Sequence, residues 1–246
     1  MTTAIAAGTA APERNRVLTA ARLNTVGAGQ RLAIPWLVVG AAFLINLLVF
    51  GLIRANTDAG DPGTTGALAA LYFTAAIAHL QTMTQTFPFA LSLGVTRRNF
   101  YLGAGLVVLV ETILHSILLT VLLAIEQATG GWGINLRFFG VVFLVQSGPV
   151  AQVTAYGVPL LALGFLGMMI GTLFKRWGQF GVYALGIGTT LVLGGLVALV
   201  TWQQWWGSVG TFFTTTPTLQ LTALYPLLIA VLAAFGGYLL VRRATP

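Results

Sequence analysis

Apolar runs about as long as a bilayer is thick recur along the whole chain, and no other feature so restricts what it can fold into. They lie at Ile34 to Ile53, Gly66 to Leu93, Phe100 to Ile125, Gln152 to Phe174, Gln179 to Thr201 and Leu219 to Val241. Each is near the roughly 20 residues a helix needs to cross a hydrocarbon core. An open strand would leave backbone groups unpaired in lipid, and barrel strands are alternating segments of only about 10 residues. The expected fold class is therefore all-α, a polytopic membrane helix bundle of about six transmembrane helices. Composition agrees: only 7% of the 246 residues are charged, against roughly 25% in soluble domains.

The basic residues fix the orientation. With the N-terminus inside, Arg14, Arg16, Arg22, Arg31, Arg97, Arg98, Lys175, Arg176, Arg242 and Arg243 are all cytoplasmic. Only Arg54 and Arg137 fall outside, with Asp58 and Asp61 in the first outer loop. This asymmetry satisfies the positive-inside rule and puts both termini in the cytoplasm. The net charge of +7 punctuates the ends of apolar runs instead of forming a basic module, so no nucleic-acid partner is expected. The chain contains no cysteine, which excludes disulfides and thiolate metal sites. The N-terminus lacks the pattern of a secretory signal.

Two stretches need more than a simple crossing. Phe138 to Phe174 is continuously apolar, and as one helix would be about 55 Å long at 1.5 Å per residue. One crossing preceded by an interfacial or re-entrant piece, ending near Gly148-Pro149 where proline breaks a helix, fits the charge pattern better. Between Trp202 and Pro217, tryptophans suited to the outer aromatic belt point to a short interfacial helix. Residues 1–33 read as a cytoplasmic arm ahead of a six-helix domain at 34–246. In Pro12 to Arg31, arginines alternate with Val17, Leu18, Ala21 and Leu23. That pattern suits an amphipathic helix on anionic headgroups or a flexible basic tail. No fused soluble domain is expected.

Enzyme chemistry finds little support. The one lysine, Lys175 in LFKRWG, has no phosphate-cradling glycine loop before it and no Ser or Thr after it. Ser147 in VQSGP lacks a nucleophile turn, and His79 and His115 alone make a poor zinc set. No catalytic residue, metal ligand or cofactor is expected in this chain.

Inside the spans, Glu111 and His115 are one turn apart on one helix face, near mid-membrane. On the preceding span His79, Gln81 and Gln85 occupy matching depth. Ionisable groups at such depth are costly and face a bundle interior or a wet cavity. Two readings stay open: a polar lining for a substrate path, or hydrogen-bonding glue between the second and third spans. Gly167 and Gly171 form a GxxxG pair suited to close helix packing.

The segment FPFALSLGVTRRNFYLGAGL, Phe87 to Leu106, puts two arginines in a tight turn between apolar runs. From physics alone these are topology signals. The pattern Gly94, Val95, Thr96, Arg97, Arg98, Phe100, followed by Gly103, resembles a motif of small bacterial permeases of the ABC-transporter type-two family. Six spans, an N-terminal arm and missing nucleotide motifs are similar to that family too. The resemblance implies a permease of the bacterial inner membrane that works in export with a separate ABC ATPase. Its second partner would be another copy of itself, or a paralogous permease. Gly94, Thr96, Arg97, Arg98 and Phe100 would form the ATPase-coupling turn: Gly94 ending one helix, Thr96 capping the next, Phe100 anchoring the turn at the interface. An ion- or proton-coupled carrier using Glu111 and His115 is the alternative, although no internal repeat of the kind such carriers show is visible. A membrane scaffold or immunity protein, which needs no polar lining, is a further one.

Overall fold

In the computed structural model, residues 13–25, 28–57 and 63–243 are described. Asp58 and Asp61 lie outside them, as does the arm before Glu13. The described chain is all-α apart from a two-residue parallel pairing of β1 (Gly63–Thr64) with β2 (Leu136–Arg137). Eight α-helices follow in order: α1 (Glu13–Thr25), α2 (Ala28–Asn56), α3 (Ala69–Gln81), α4 (Phe87–Ser92), α5 (Arg97–Ala128), α6 (Pro149–Trp202), α7 (Trp206–Thr215) and α8 (Tyr225–Val241). A π-helical turn, Thr82–Thr86, joins α3 to α4, and a second, Gln220–Leu224, leads into α8.

Four helical segments among the described residues are long and apolar enough to cross a membrane: Arg31–Asn56, Arg97–Ala128, Pro149–Trp202 and Gln220–Val241. Their outward surfaces suit lipid; Leu37, Leu191 and Leu232 are all at least 70% exposed. α6 is interrupted at Gly178, with φ 63° and ψ −153°, a conformation essentially reserved for glycine. It comes directly after Lys175-Arg176-Trp177, where the charge pattern puts a turn.

The first expected domain boundary, at residue 33, falls inside α2, which begins at Ala28. α1 is not simply laid on a headgroup surface. Ala20, Ala21 and Asn24 are buried, and α1 packs on α5. Gly103 of α5 makes this approach possible: a Cβ there would sit 2.7 Å from the Ala21 backbone nitrogen.

Pro149 opens α6, and the preceding residues from Phe138 to Gly148 are irregular rather than helical. Polar side chains tie this segment down. Gln152 accepts from Gln146 N (2.7 Å) and donates to the Leu144 carbonyl (3.1 Å), and the Tyr156 hydroxyl donates to the Phe139 carbonyl (2.7 Å). Protein side chains thus satisfy part of this irregular backbone. The Trp-rich stretch does form a short helix, α7, with Trp202, Trp205 and Trp206 exposed.

Two apolar clusters make the core. One joins α2, α3, α5 and α6 to the irregular segment through Val39, Leu71, Leu119, Phe138 and Tyr156. The other joins α4, α5, α6 and α8 through Phe87, Phe100, Val108, Met168 and Val241. Along α5 the interval between Val108 and Leu119 holds Glu111 and His115, and His79 on α3 lies between Ala75 of the same helix and Met83 of the π turn. A polar layer therefore separates the two clusters.

Candidate functional site

Two groups of residues stand out: the polar layer and the turn between α4 and α5. In the layer, Glu111 Oε2 lies 3.5 Å from His79 Nε2, and Glu111 Oε1 lies 3.5 Å from Arg31 Nη2. Arg31 also donates to Thr82 Oγ1 at 3.3 Å and to the Asn24 carbonyl. One guanidinium thus links α1, the start of α2, the π turn and α5. His115 Nδ1 lies 2.6 Å from the Glu111 carbonyl; a carbonyl only accepts, so Nδ1 carries the proton. The imidazole stacks on Trp36, with ring centroids 5.8 Å apart and planes 9° apart.

Small residues create the room. A Cβ on Gly164 would lie 3.2 Å from His79 Cδ2, and one on Gly171 would lie 2.7 Å from the Leu80 carbonyl oxygen. On Gly167 it would collide with the Ala76 carbonyl. The Gly167–Gly171 pair is thus the seam along which α6 meets α3, small residues letting the two backbones approach closely. Asn24 Oδ1, Arg31 Nε and His115 Nε2 are buried without a hydrogen-bond partner among the described residues. No three His, Cys, Asp or Glu side chains gather as a metal site among those residues.

The expected grouping of His79, Glu111 and His115 is present. Gln81 and Gln85 do not join it; both are exposed. Residues two apart on a helix are about 200° apart at 3.6 residues per turn, so Gln81 cannot share the face of His79. Matching depth is not matching direction. Arg31, read from sequence as a topology charge, is instead a half-buried member of the cluster. Its long stem lets the head group reach inward from the start of α2.

The turn is tightly made. Val95 N donates to the Ala90 carbonyl (3.1 Å) and Gly94 N to the Leu91 carbonyl (3.0 Å), with Gly94 at φ +80°. These are the paired closures of a Schellman motif, which needs a left-handed residue where glycine stands. Thr96 is the N-cap of α5, its hydroxyl accepting from Asn99 N at 3.3 Å, and so satisfies one of the orphan amides of the first turn. Arg98 is exposed, and Arg97 Nη1 donates to the Arg242 carbonyl at 3.5 Å. Phe100 is not an interfacial anchor. It is 0% exposed and packs on Phe87 with centroids 5.3 Å apart. As the fourth residue of α5 it faces the core, and it holds the base of the turn from inside.

Sequence reasoning did not single out Glu126, buried near the end of α5. Its Oε2 accepts from Trp132 Nε1 (3.0 Å), Phe138 N (2.9 Å) and Phe139 N (2.9 Å), and its Oε1 from Gly140 N (2.7 Å). One carboxylate organises the entry to the irregular segment. The sequence signal was a lone acid just ahead of the turn-forming TGGWG. Comparisons with protein-family models, curated proteins and solved structures found no match to this chain.

Proposed function

We propose that this chain is the membrane-spanning permease subunit of an ATP-driven exporter, with ATP hydrolysis in a separately encoded subunit. In this reading six helices cross the bilayer: α2, the segment from α3 through α4, α5, the two parts of α6 either side of Gly178, and α8. As a straight rod the 54 residues of α6 would measure about 81 Å. That is far beyond the ~30 Å hydrocarbon core, so the break at Gly178 divides two crossings. Both termini and the turn between α4 and α5 then lie in the cytoplasm. A second permease copy, or a paralogous one, completes the transporter.

The observation that carries the proposal is the construction of the turn. A Schellman closure, an N-cap and a buried Phe87–Phe100 contact make it a stiff link between two crossings, with Arg98 presented outward. A turn serving only topology needs positive charge and no such rigidity. In the polar layer, the engagement of Glu111 by Arg31 and His79 favours helix locking over a carrier path.

The test is the double variant R97K/R98K, with membrane insertion, recovery of the ATPase complex and ATP-dependent transport measured side by side. Lysine preserves charge and topology but lacks the planar fork of arginine. Normal insertion with loss of complex and transport is the expected result. Unchanged complex and transport would remove the docking role of the arginines.

A further inference from the structure

Away from the polar layer, the end of α8 and the middle of α6 border a groove of about 740 Å³ lined by Arg176, Gly236, Leu239, Leu240, Arg242 and Arg243. Its volume falls within the about 300–1,000 Å³ typical of small-molecule sites. Three of its six lining residues carry guanidinium groups and none carries a carboxylate. Arg176 lies over the ring of Trp177, 4.1 Å from its centroid, which steadies the guanidinium at the lip. Arg97, outside the lining, donates from α5 to the Arg242 carbonyl. Cations from α6 and the end of α8 thus line one groove with no acid among its lining residues. The two acids with described side chains are engaged elsewhere, Glu111 with Arg31 and His79, Glu126 with the irregular segment. The rest of the groove is apolar, built from two leucines and a glycine.

We propose that this groove binds the headgroup of an anionic phospholipid, with the phosphate between Arg176, Arg242 and Arg243 and the acyl portion along Leu239 and Leu240. Basic pockets between membrane helices on the cytoplasmic side suit anionic headgroups, and arginine pairs with phosphate through two parallel hydrogen bonds. A purely soluble anion would leave the apolar half of the groove unused. The site rests on the membrane reading of the chain and not on ATPase coupling. Through Arg97 it also touches the turn between α4 and α5.

The experiment uses the purified full chain without its ATPase. Retention of phosphatidylglycerol and phosphatidylcholine is measured by native mass spectrometry, and thermal stability in nanodiscs of each lipid. The wild type is expected to retain phosphatidylglycerol selectively. Loss of about fivefold per arginine removed, so roughly a hundredfold for R176Q/R242Q/R243Q, follows from the contribution of each cation near an anionic surface. R242Q alone guards against a triple variant that fails to fold, and R16Q removes one charge from an exposed site off the groove as a control. Unfolding temperatures equal to wild type in phosphatidylcholine show that the variants are folded. Equal retention of the two lipids, or equal loss in R16Q and R242Q, overturns the proposal. Stabilisation by millimolar inorganic phosphate equal to that by phosphatidylglycerol reassigns the groove to a soluble anion. Unaltered lipid retention in the triple variant likewise overturns the proposal.

Discussion

Replacing Glu126 by alanine removes the acceptor of four hydrogen bonds from a side chain that is 3% exposed. Hydrogen bonds to a charged group contribute about 1.5–3 kcal/mol each, so a simple sum over four gives roughly 6–12 kcal/mol. Contacts that share one carboxylate are not additive. An adjoining cavity of about 430 Å³, bordered by Glu126, Gly131 and Gly140, also lets water reach the freed amides. A local cost of about 4 kcal/mol for E126A is the reasonable expectation. E126Q keeps one carbonyl for the three donors now at Oε2 but turns an amide N–H toward the Gly140 N–H, so about 2 kcal/mol is expected. The assay is amide hydrogen exchange of a peptide spanning 136–146, which reports local opening without requiring global unfolding. At about 1.4 kcal/mol per tenfold change, exchange should accelerate roughly a thousandfold in E126A and about thirtyfold in E126Q. Exchange in E126A within threefold of wild type would refute the view that this carboxylate holds the segment.

Three further outcomes follow. E111Q leaves Arg31 half-buried without its charge partner and should cost about 3–5 kcal/mol; E111Q/R31M should recover part of this, and strict additivity in that unfolding cycle would show the two are not coupled. G171L forces a side chain against the Leu80 carbonyl and should destabilise by about 1–3 kcal/mol or more, read as loss of detergent-solubilised monodisperse protein; G186L, where a Cβ has open space, should be neutral. G94A places a Cβ at φ +80° and should cost about 1–2 kcal/mol; under the proposed exporter reading it also weakens recovery of an ATPase complex while leaving insertion unaltered.

The all-α character, the long apolar helices and the geometry of the turn were legible because they depend on local signals: run length, a glycine where a left-handed cap is needed, a threonine one residue before α5. Glu111 and His115 were legible for the same reason, since four-residue spacing fixes their common face. Direction around a helix axis was harder. The exposed positions of Gln81 and Gln85 follow from their angular offset from His79, and the π turn beginning at Thr82 shifts the register further, which no local composition announces. Arg31 and Glu126 act over long separations in the fold. Arg31 meets Glu111 only because α1 and α2 close against α5, and Glu126 meets Phe138 to Gly140 only because the chain doubles back after TGGWG. A charge at the end of an apolar run looks alike in sequence whether it faces water or a partner.

The most direct test of the exporter reading is site-specific photo-crosslinking in native membranes. A photoreactive phenylalanine analogue replaces Leu93, exposed beside the turn while both arginines are kept, and in a parallel strain Phe213, exposed on α7 at the opposite membrane face in the proposed topology. The expected result is a covalent adduct with a P-loop ATPase from position 93 and none from position 213. No ATPase adduct at 93, or equal adducts at both positions, would contradict it.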